Sequence, residues 1–133
     1  MPESLPQRPT HRLLIDQPPR MFQPGLAMAV GLSEAIFLQQ LHYWLTRSQN
    51  ERMGRWWVYN TLEEWQIEFP WWSVPTIRRI IARLEESGLI ISSQEFNAYP
   101  TDRTKWYTIN YDELAQKGRH APSVGIDGSK LAE

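Results

Sequence analysis

Three arginines, Arg78, Arg79 and Arg83, stand close together in FPWWSVPTIRRIIARLEESGLI, residues 69–90. A guanidinium offers paired N–H donors that match a phosphate or the O6 and N7 edge of guanine, so a helix carrying several on one side is a candidate nucleic-acid reader. Placed at about 100° per residue, Val74, Ile77, Ile80, Ile81 and Leu84 form one inward face. Arg79 falls opposite them with Pro75, Ala82 and Glu86, while Thr76 and Arg83 lie along one edge and Arg78 and Glu85 along the other. Ser73 and Thr76 open the helix, where hydroxyls and first-turn amides can reach a base or a phosphate. The like-charged pair Arg79 and Arg83 costs about 0.2–0.5 kcal/mol and Arg83 with Glu86 returns a similar amount, so helix stability does not explain the pattern. Solubility of an ordinary surface helix explains it equally well from these residues alone.

A second group, Tyr99, Arg103 and Lys105, falls in residues 94–105, between two strand-like segments. Residues 73–110 carry five basic side chains (Arg78, Arg79, Arg83, Arg103, Lys105) against four acidic ones (Glu85, Glu86, Glu95, Asp102), a net of +1. On this reading Ser73, Thr76, Arg79 and Arg83 face the major groove of double-stranded DNA, and Arg78, Tyr99, Arg103 and Lys105 touch or support its backbone. A rival from another class is a homodimer or partner surface made by Gln39, Gln40, His42, Tyr43, Trp71 and Trp72. Catalysis has no support: there is no glycine-rich phosphate loop, no G-x-S-x-G, and His11, His42 and His120 are scattered. Neither a metal nor a cofactor is expected.

Several elements must hold these residues in place. Ser33 is the expected cap of a helix through EAIFLQQLHYWLTRS, with Phe37, Leu38, Leu41, Trp44 and Leu45 as its apolar arc. WWVYN, residues 56–60, suits a strand. Asn60 or Thr61, with Glu63 or Glu64 three residues on, starts a helix over TLEEWQIEF, whose inward face is Leu62, Trp65 and Phe69 and which Pro70 stops. Ser73, Pro75 and Gly88 punctuate the arginine helix. Leu89–Ile91 and residues 105–110, KWYTIN, read as antiparallel strands, and YDELAQKG as a closing helix. Trp44, Trp65 and Trp106 are expected in the core. The fold class is mainly α with a small antiparallel sheet: a winged helix-turn-helix spanning residues 25–117, with recognition helix 73–86 and wing 94–105.

The chain's 133 residues and 41% hydrophobic content allow one domain with a single core. Residues 1–24 hold six of the ten prolines and read as an extended, mildly basic arm in which Leu13, Leu14 and Ile15 are a short docking strand. Residues 118–133 read as tail or linker. The absence of cysteine removes disulfides and thiolate zinc sites and fits the cytoplasm, and no apolar run is long enough for a membrane span. A net charge of -1 gives no overall basic field, so any DNA affinity must come from charge arranged on one face.

GLSEAIFLQQLHYWL, RWWVYNTLEEW, FPWWSVPTIRRIIARLEESGLI and DRTKWYTINYDEL, in this order, resemble the amino-terminal winged-helix domain of phage and plasmid replication proteins of the replisome-organiser type, related to DnaD-like primosome components. The resemblance covers roughly residues 25–114. It implies a domain that binds origin DNA or assembles oligomers, with residues 73–86 as recognition helix and the loop ending at Arg103 and Lys105 as wing. In that family a separate carboxy-terminal domain contacts the helicase or its loader. This sequence stops at Glu133, so a helicase or loader partner is expected only of a longer chain. A transcriptional regulator with the same contacts is the near alternative, and a protein-interaction winged helix without DNA binding the more distant one.

Overall fold

A computed structural model describes residues 23–120 of the chain. Its elements are α1 (Pro24–Val30), α2 (Leu32–Leu45), β1 (Asn50–Arg52), β2 (Arg55–Asn60), α3 (Leu62–Glu68), α4 (Val74–Glu86), β3 (Ile90–Ser93), β4 (Lys105–Ile109) and α5 (Tyr111–His120). The strands make one antiparallel sheet in the order β1-β2-β4-β3, which gives an α+β fold. The arm and its expected strand at Leu13–Ile15 lie outside the described residues, apart from Gln23, which stands at the N-cap of α1, and Pro24, which opens it; so do residues 121–133. At the other boundary α5 continues through Gly118 to His120.

Local chemistry sets the ends of the central helices. Thr61 caps α3 by accepting the Glu64 N–H at 3.2 Å while the Glu64 carboxylate accepts the Thr61 N–H at 2.8 Å, which settles the register of the capping box. Ser73 caps α4, and Gly88 ends it at φ 78°, with Gly88 N–H donating to Glu85 O and Leu89 N–H to Leu84 O. This pair of bonds satisfies carbonyls that the helix end would otherwise leave bare. α2 departs from expectation. Its cap is Gly31, not Ser33, because Gly31 takes φ 102° and ψ 151°, a region open to glycine alone, and lets the chain turn sharply out of α1.

The hairpin joining β1 to β2 was invisible in the sequence. Arg52 pairs with Arg55 across a two-residue turn, and Met53 and Gly54 both have positive φ, 56° and 73°. That is the turn whose twist matches the strands, but it usually carries Asn-Gly or Asp-Gly. Met53 has no short polar side chain to ease a left-handed backbone.

α2, α3 and α4 bury their apolar faces on one side of the sheet. Phe37, Leu38, Leu41, Trp65, Phe69, Ile77, Ile80, Ile81, Leu84, Leu89, Ile90, Tyr107 and Ile109 are each at most 3% exposed and form one cluster. Trp65 and Trp106 are buried as expected. Trp44 is not: it is 38% exposed, and its indole N–H reaches out of the helix to the Glu68 carboxylate, an acceptor the core could not offer. Val74, at the first turn of α4, is half-buried. On the other side of the sheet Phe96 packs edge-on against Trp57 and Trp106, and Tyr59 lies 5.0 Å from Trp106.

Burial, and then the charge of Glu85, push the Tyr107 phenol up to about 12 from an ordinary 10.0; the nearby Trp65 indole N–H, which makes no hydrogen bond of regular geometry, offsets this only in part. The folded pKa is the higher one, so the neutral phenol's contribution to stability is whole below pH 10 and is lost as pH rises from 10 to about 12. Unfolding free energy measured across that interval is expected to fall, with a shallower slope in Tyr107→Phe. Met53→Asn, at a position 79% exposed, relieves the left-handed backbone. It should stabilise the chain by about 0.5–1 kcal/mol and raise the thermal midpoint by roughly 2–8 °C.

Candidate nucleic-acid interface

α4 presents its arginines because its other face is taken. With Ile77, Ile80, Ile81 and Leu84 buried, Arg78, Arg79, Ala82, Arg83 and Glu86 are left exposed. Among the described residues neither Arg78 nor Arg79 has an acidic partner. Their guanidinium groups keep every N–H for an outside acceptor.

Arg83 differs. Its Nη1 donates to Glu34 Oε1 at 3.3 Å, and the Glu34 side chain is 7% exposed while that of Arg83 is 67% exposed. Glu34 stands in the first turn of α2, its carboxylate packed over Gly31 so closely that a Cβ added there would lie 2.6 Å from Oε2. The pair therefore ties the outer face of α4 to the α1–α2 turn. Arg83 has a structural role that spacing along its own helix does not reveal, although most of its donors still face solvent.

Ser73 and Thr76 are engaged with one another. Ser73 Oγ accepts the Thr76 N–H at 3.3 Å and donates to Thr76 Oγ1 at 3.0 Å, which leaves the Thr76 hydroxyl proton to be donated outward. Of the first-turn amides, Pro75 has no N–H and that of Thr76 is taken. Val74 and the cap residue Ser73 are left to offer theirs to an anion, so the start of α4 is a poorer phosphate cradle than its sequence suggests.

The loop from Gln94 to Thr104 is held by its own side chains. Asn97 donates from Nδ2 to the Thr104 carbonyl at 2.6 Å and accepts the Trp106 indole N–H at 2.9 Å on Oδ1. Asp102 accepts the Thr104 N–H at 3.0 Å, and that bond holds its carboxyl below the ordinary carboxylate range. Tyr99, 71% exposed, and Arg103 project from this frame, and Lys105 begins β4 half-buried opposite Asn60. Arg52 was missed. It reaches over the Trp106 ring, 5.3 Å from its centroid, and so adds a cation beside the loop; the signal was hidden with the β1–β2 hairpin that carries it.

The residues read as a dimer or partner surface are spread over two places. Gln39 and Gln40 are half-buried, His42 Nδ1 lies 2.8 Å from the Tyr111 hydroxyl of α5, and Tyr43 carries the Arg47 guanidinium 3.8 Å from its ring centroid. Burial pushes the Tyr111 phenol up. In the α3–α4 turn, Trp72 wedges against the core 5.0 Å from Phe69, whereas Trp71 is 50% exposed. The two tryptophans thus divide the roles that the sequence left open between them.

No group of His, Asp and Glu among the described residues could hold a metal ion, and no helix among them is long and apolar enough to cross a membrane. Comparison with protein-family models, with curated proteins and with solved structures finds no match to the chain.

The Glu34–Arg83 pair separates structure from recognition. Arg83→Ala strands a buried carboxylate and should cost roughly 1 kcal/mol after allowance for the exposure of the arginine, whereas Arg79→Ala should stay within about 0.5 kcal/mol. Adding Glu34→Gln to Arg83→Ala removes the stranded charge and is expected to recover part of the loss, read from the urea midpoint.

Proposed function

We propose that the chain is a winged-helix protein that binds double-stranded DNA and acts in replication initiation of a phage or plasmid. The observation that carries the reading is the pair of arginines, Arg78 and Arg79, without an acidic partner among the described residues, on the outer face of α4, which follows α3 after a short turn and is itself followed by a strand, a long loop and a returning strand. α3, the turn through Pro70–Trp72 and α4 correspond to the helix-turn-helix, and β3, the loop 94–104 and β4 to the winged hairpin. The pairing of β2 with β4, next to β3, supports it, since the strand before the helix pair joins the hairpin from the side.

In this reading α4 enters the major groove with Arg79 and Thr76 toward the bases and Arg78 toward the backbone. Arg83, tethered to Glu34, contacts phosphate with the donors left over. Tyr99 and Arg103 reach the flanking backbone or minor groove, with Lys105 and Arg52 behind them. The assignment to replication rests on the resemblance of the four motifs; a transcriptional regulator would use the same face. The modest +1 over residues 73–110 argues for modest affinity of a single copy and for two copies on paired half-sites.

Fluorescence anisotropy with a duplex from the protein's own locus and a scrambled duplex, at two salt concentrations, tests the reading. Replacement of Arg78 and Arg79 together by Ala is expected to weaken binding by roughly 10- to 1000-fold and to flatten its salt dependence, with the thermal midpoint unchanged. An unaltered affinity in that variant would refute the assignment of α4. No binding of the parent chain to either duplex at low salt would return the arginines to surface charge and favour the protein-interaction alternative.

A further inference from the structure

The face of the sheet turned away from the helices carries a group of residues that the duplex reading leaves almost unused. Side chains alternate along a strand and Val58 packs against the core, so Arg55, Trp57 and Tyr59 of β2 point to the outer face. Tyr59 stands opposite Trp106, and Arg55 opposite Arg52, which brings Trp106 and Arg52 to the same face. The side-chain contacts agree. Phe96 lies 5.2 Å from Trp57 and 5.4 Å from Trp106, Tyr59 lies 5.0 Å from Trp106, and the Arg52 guanidinium is 5.3 Å from the Trp106 ring centroid.

The two indoles are pinned. Trp57 donates its N–H to the Arg52 carbonyl at 2.9 Å, and Trp106 donates its own to Asn97 Oδ1 at 2.9 Å. Both tryptophans are at most 9% exposed, whereas Tyr59, which leans on Trp106, is 51% exposed. An aromatic ring supported from beneath and open to solvent lets a flat group stack on it at little cost in ordering.

The charge beside the ring narrows the ligand. Arg52 and Arg55 are both exposed and stand directly opposite one another, a placement of like charges that destabilises a strand pair. Among the described residues neither has an acidic partner, and Glu51, the one acid of the hairpin, alternates onto the other face. Arg52 gives one donor to the Glu51 carbonyl at 2.7 Å and lies over Trp106, which leaves its other N–H groups, in the guanidinium plane, for an outside acceptor. Two such guanidinium groups match phosphates, and the open ring beside them matches a base. Bases inside a duplex are stacked on one another and have no face to offer, so the form that fits is unpaired.

We propose that the outer face of the sheet binds single-stranded nucleic acid, with an unpaired base stacked on Tyr59 and the neighbouring phosphates held by Arg52 and Arg55. The site uses no residue of α4. It therefore does not rest on the duplex reading, and failure of one leaves the other standing.

Fluorescence anisotropy of the full chain with labelled oligothymidylate and oligouridylate tests the site, the tighter of the two identifying the kind of strand. Tyr59→Leu keeps an apolar side chain over Trp106 but removes the ring. It should weaken single-strand binding roughly 5- to 150-fold, while Tyr59→Phe stays close to the parent and duplex affinity is unchanged in both. Arg52→Gln combined with Arg55→Gln should reduce the slope of log affinity against log salt by about 1.4, as the loss of two phosphate contacts to a single strand requires. Circular dichroism confirms that each variant is folded. Tyr59→Leu binding like the parent, Tyr59→Phe losing as much as Tyr59→Leu, or a salt slope indifferent to the two arginines would overturn the proposal. So would the absence of binding to either oligonucleotide at low salt, which would leave the face to a protein partner.

Discussion

The fold depends on how four aromatic rings share one space. Phe37 of α2 lies 4.9 Å from Trp65 of α3 and 5.4 Å from Phe69 at the end of α3, and Trp65 meets Tyr107 of β4 edge-on at 5.7 Å. Rings of this size bury large areas and tolerate few relative orientations, so the cluster fixes α3 against both α2 and the sheet. Everything C-terminal to it inherits that placement. Pro70 cannot continue α3, Trp72 packs back on Phe69, and α4 must leave the turn with its isoleucine face against the same core. The outward aim of Arg78 and Arg79 is a consequence of that packing and needs no feature of the arginines themselves.

How much of this was readable depended on range along the chain. The caps of α3 and α4 were legible because the donor and acceptor stand three residues apart and the pairing is dictated by residue type. The face of α4 was legible because its period is regular. The cap of α2 was not, since Ser33 satisfied the compositional rule but Gly31 alone could adopt the backbone required after α1. Trp44 misled for a related reason: helical spacing put it beside Leu41 and Leu45, yet its N–H needed an acceptor, and Glu68 supplied one at the surface. The β1–β2 hairpin was lost because Met53 occupies a position where turn rules look for Asn or Asp.

The candidate site was legible in outline and not in its internal division. Spacing along α4 ranks Arg79 and Arg83 together as outward-facing, but a carboxylate 49 residues away gives Arg83 a partner, while Arg78 and Arg79 have no acidic partner among the described residues. Likewise Ser73 and Thr76 looked like two separate hydrogen-bonding groups, whereas each uses the other. The Glu34–Arg83 coupling arises only because distant segments meet, which no local pattern encodes, whereas the Ser73–Thr76 coupling is local and follows from the cap itself. They change the assignment of roles: the unpaired arginines are free to serve a ligand without loss to the fold, and the paired one is not.

The loop between β3 and β4 shows the same economy from the other direction. A segment of this length ordinarily has to be ordered when a partner arrives, and each immobilised residue then subtracts from affinity. Here Asn97 bonds to the far end of the loop and to Trp106, Asp102 closes a local turn on Thr104, and Phe96 inserts between two tryptophans of the sheet. Most of the ordering cost is thus met during folding, by contacts that leave Tyr99 and Arg103 exposed. On the proposed reading, a near-neutral protein with few cations at its interface gains from this arrangement, because each contact that does form meets a side chain already held on a rigid frame.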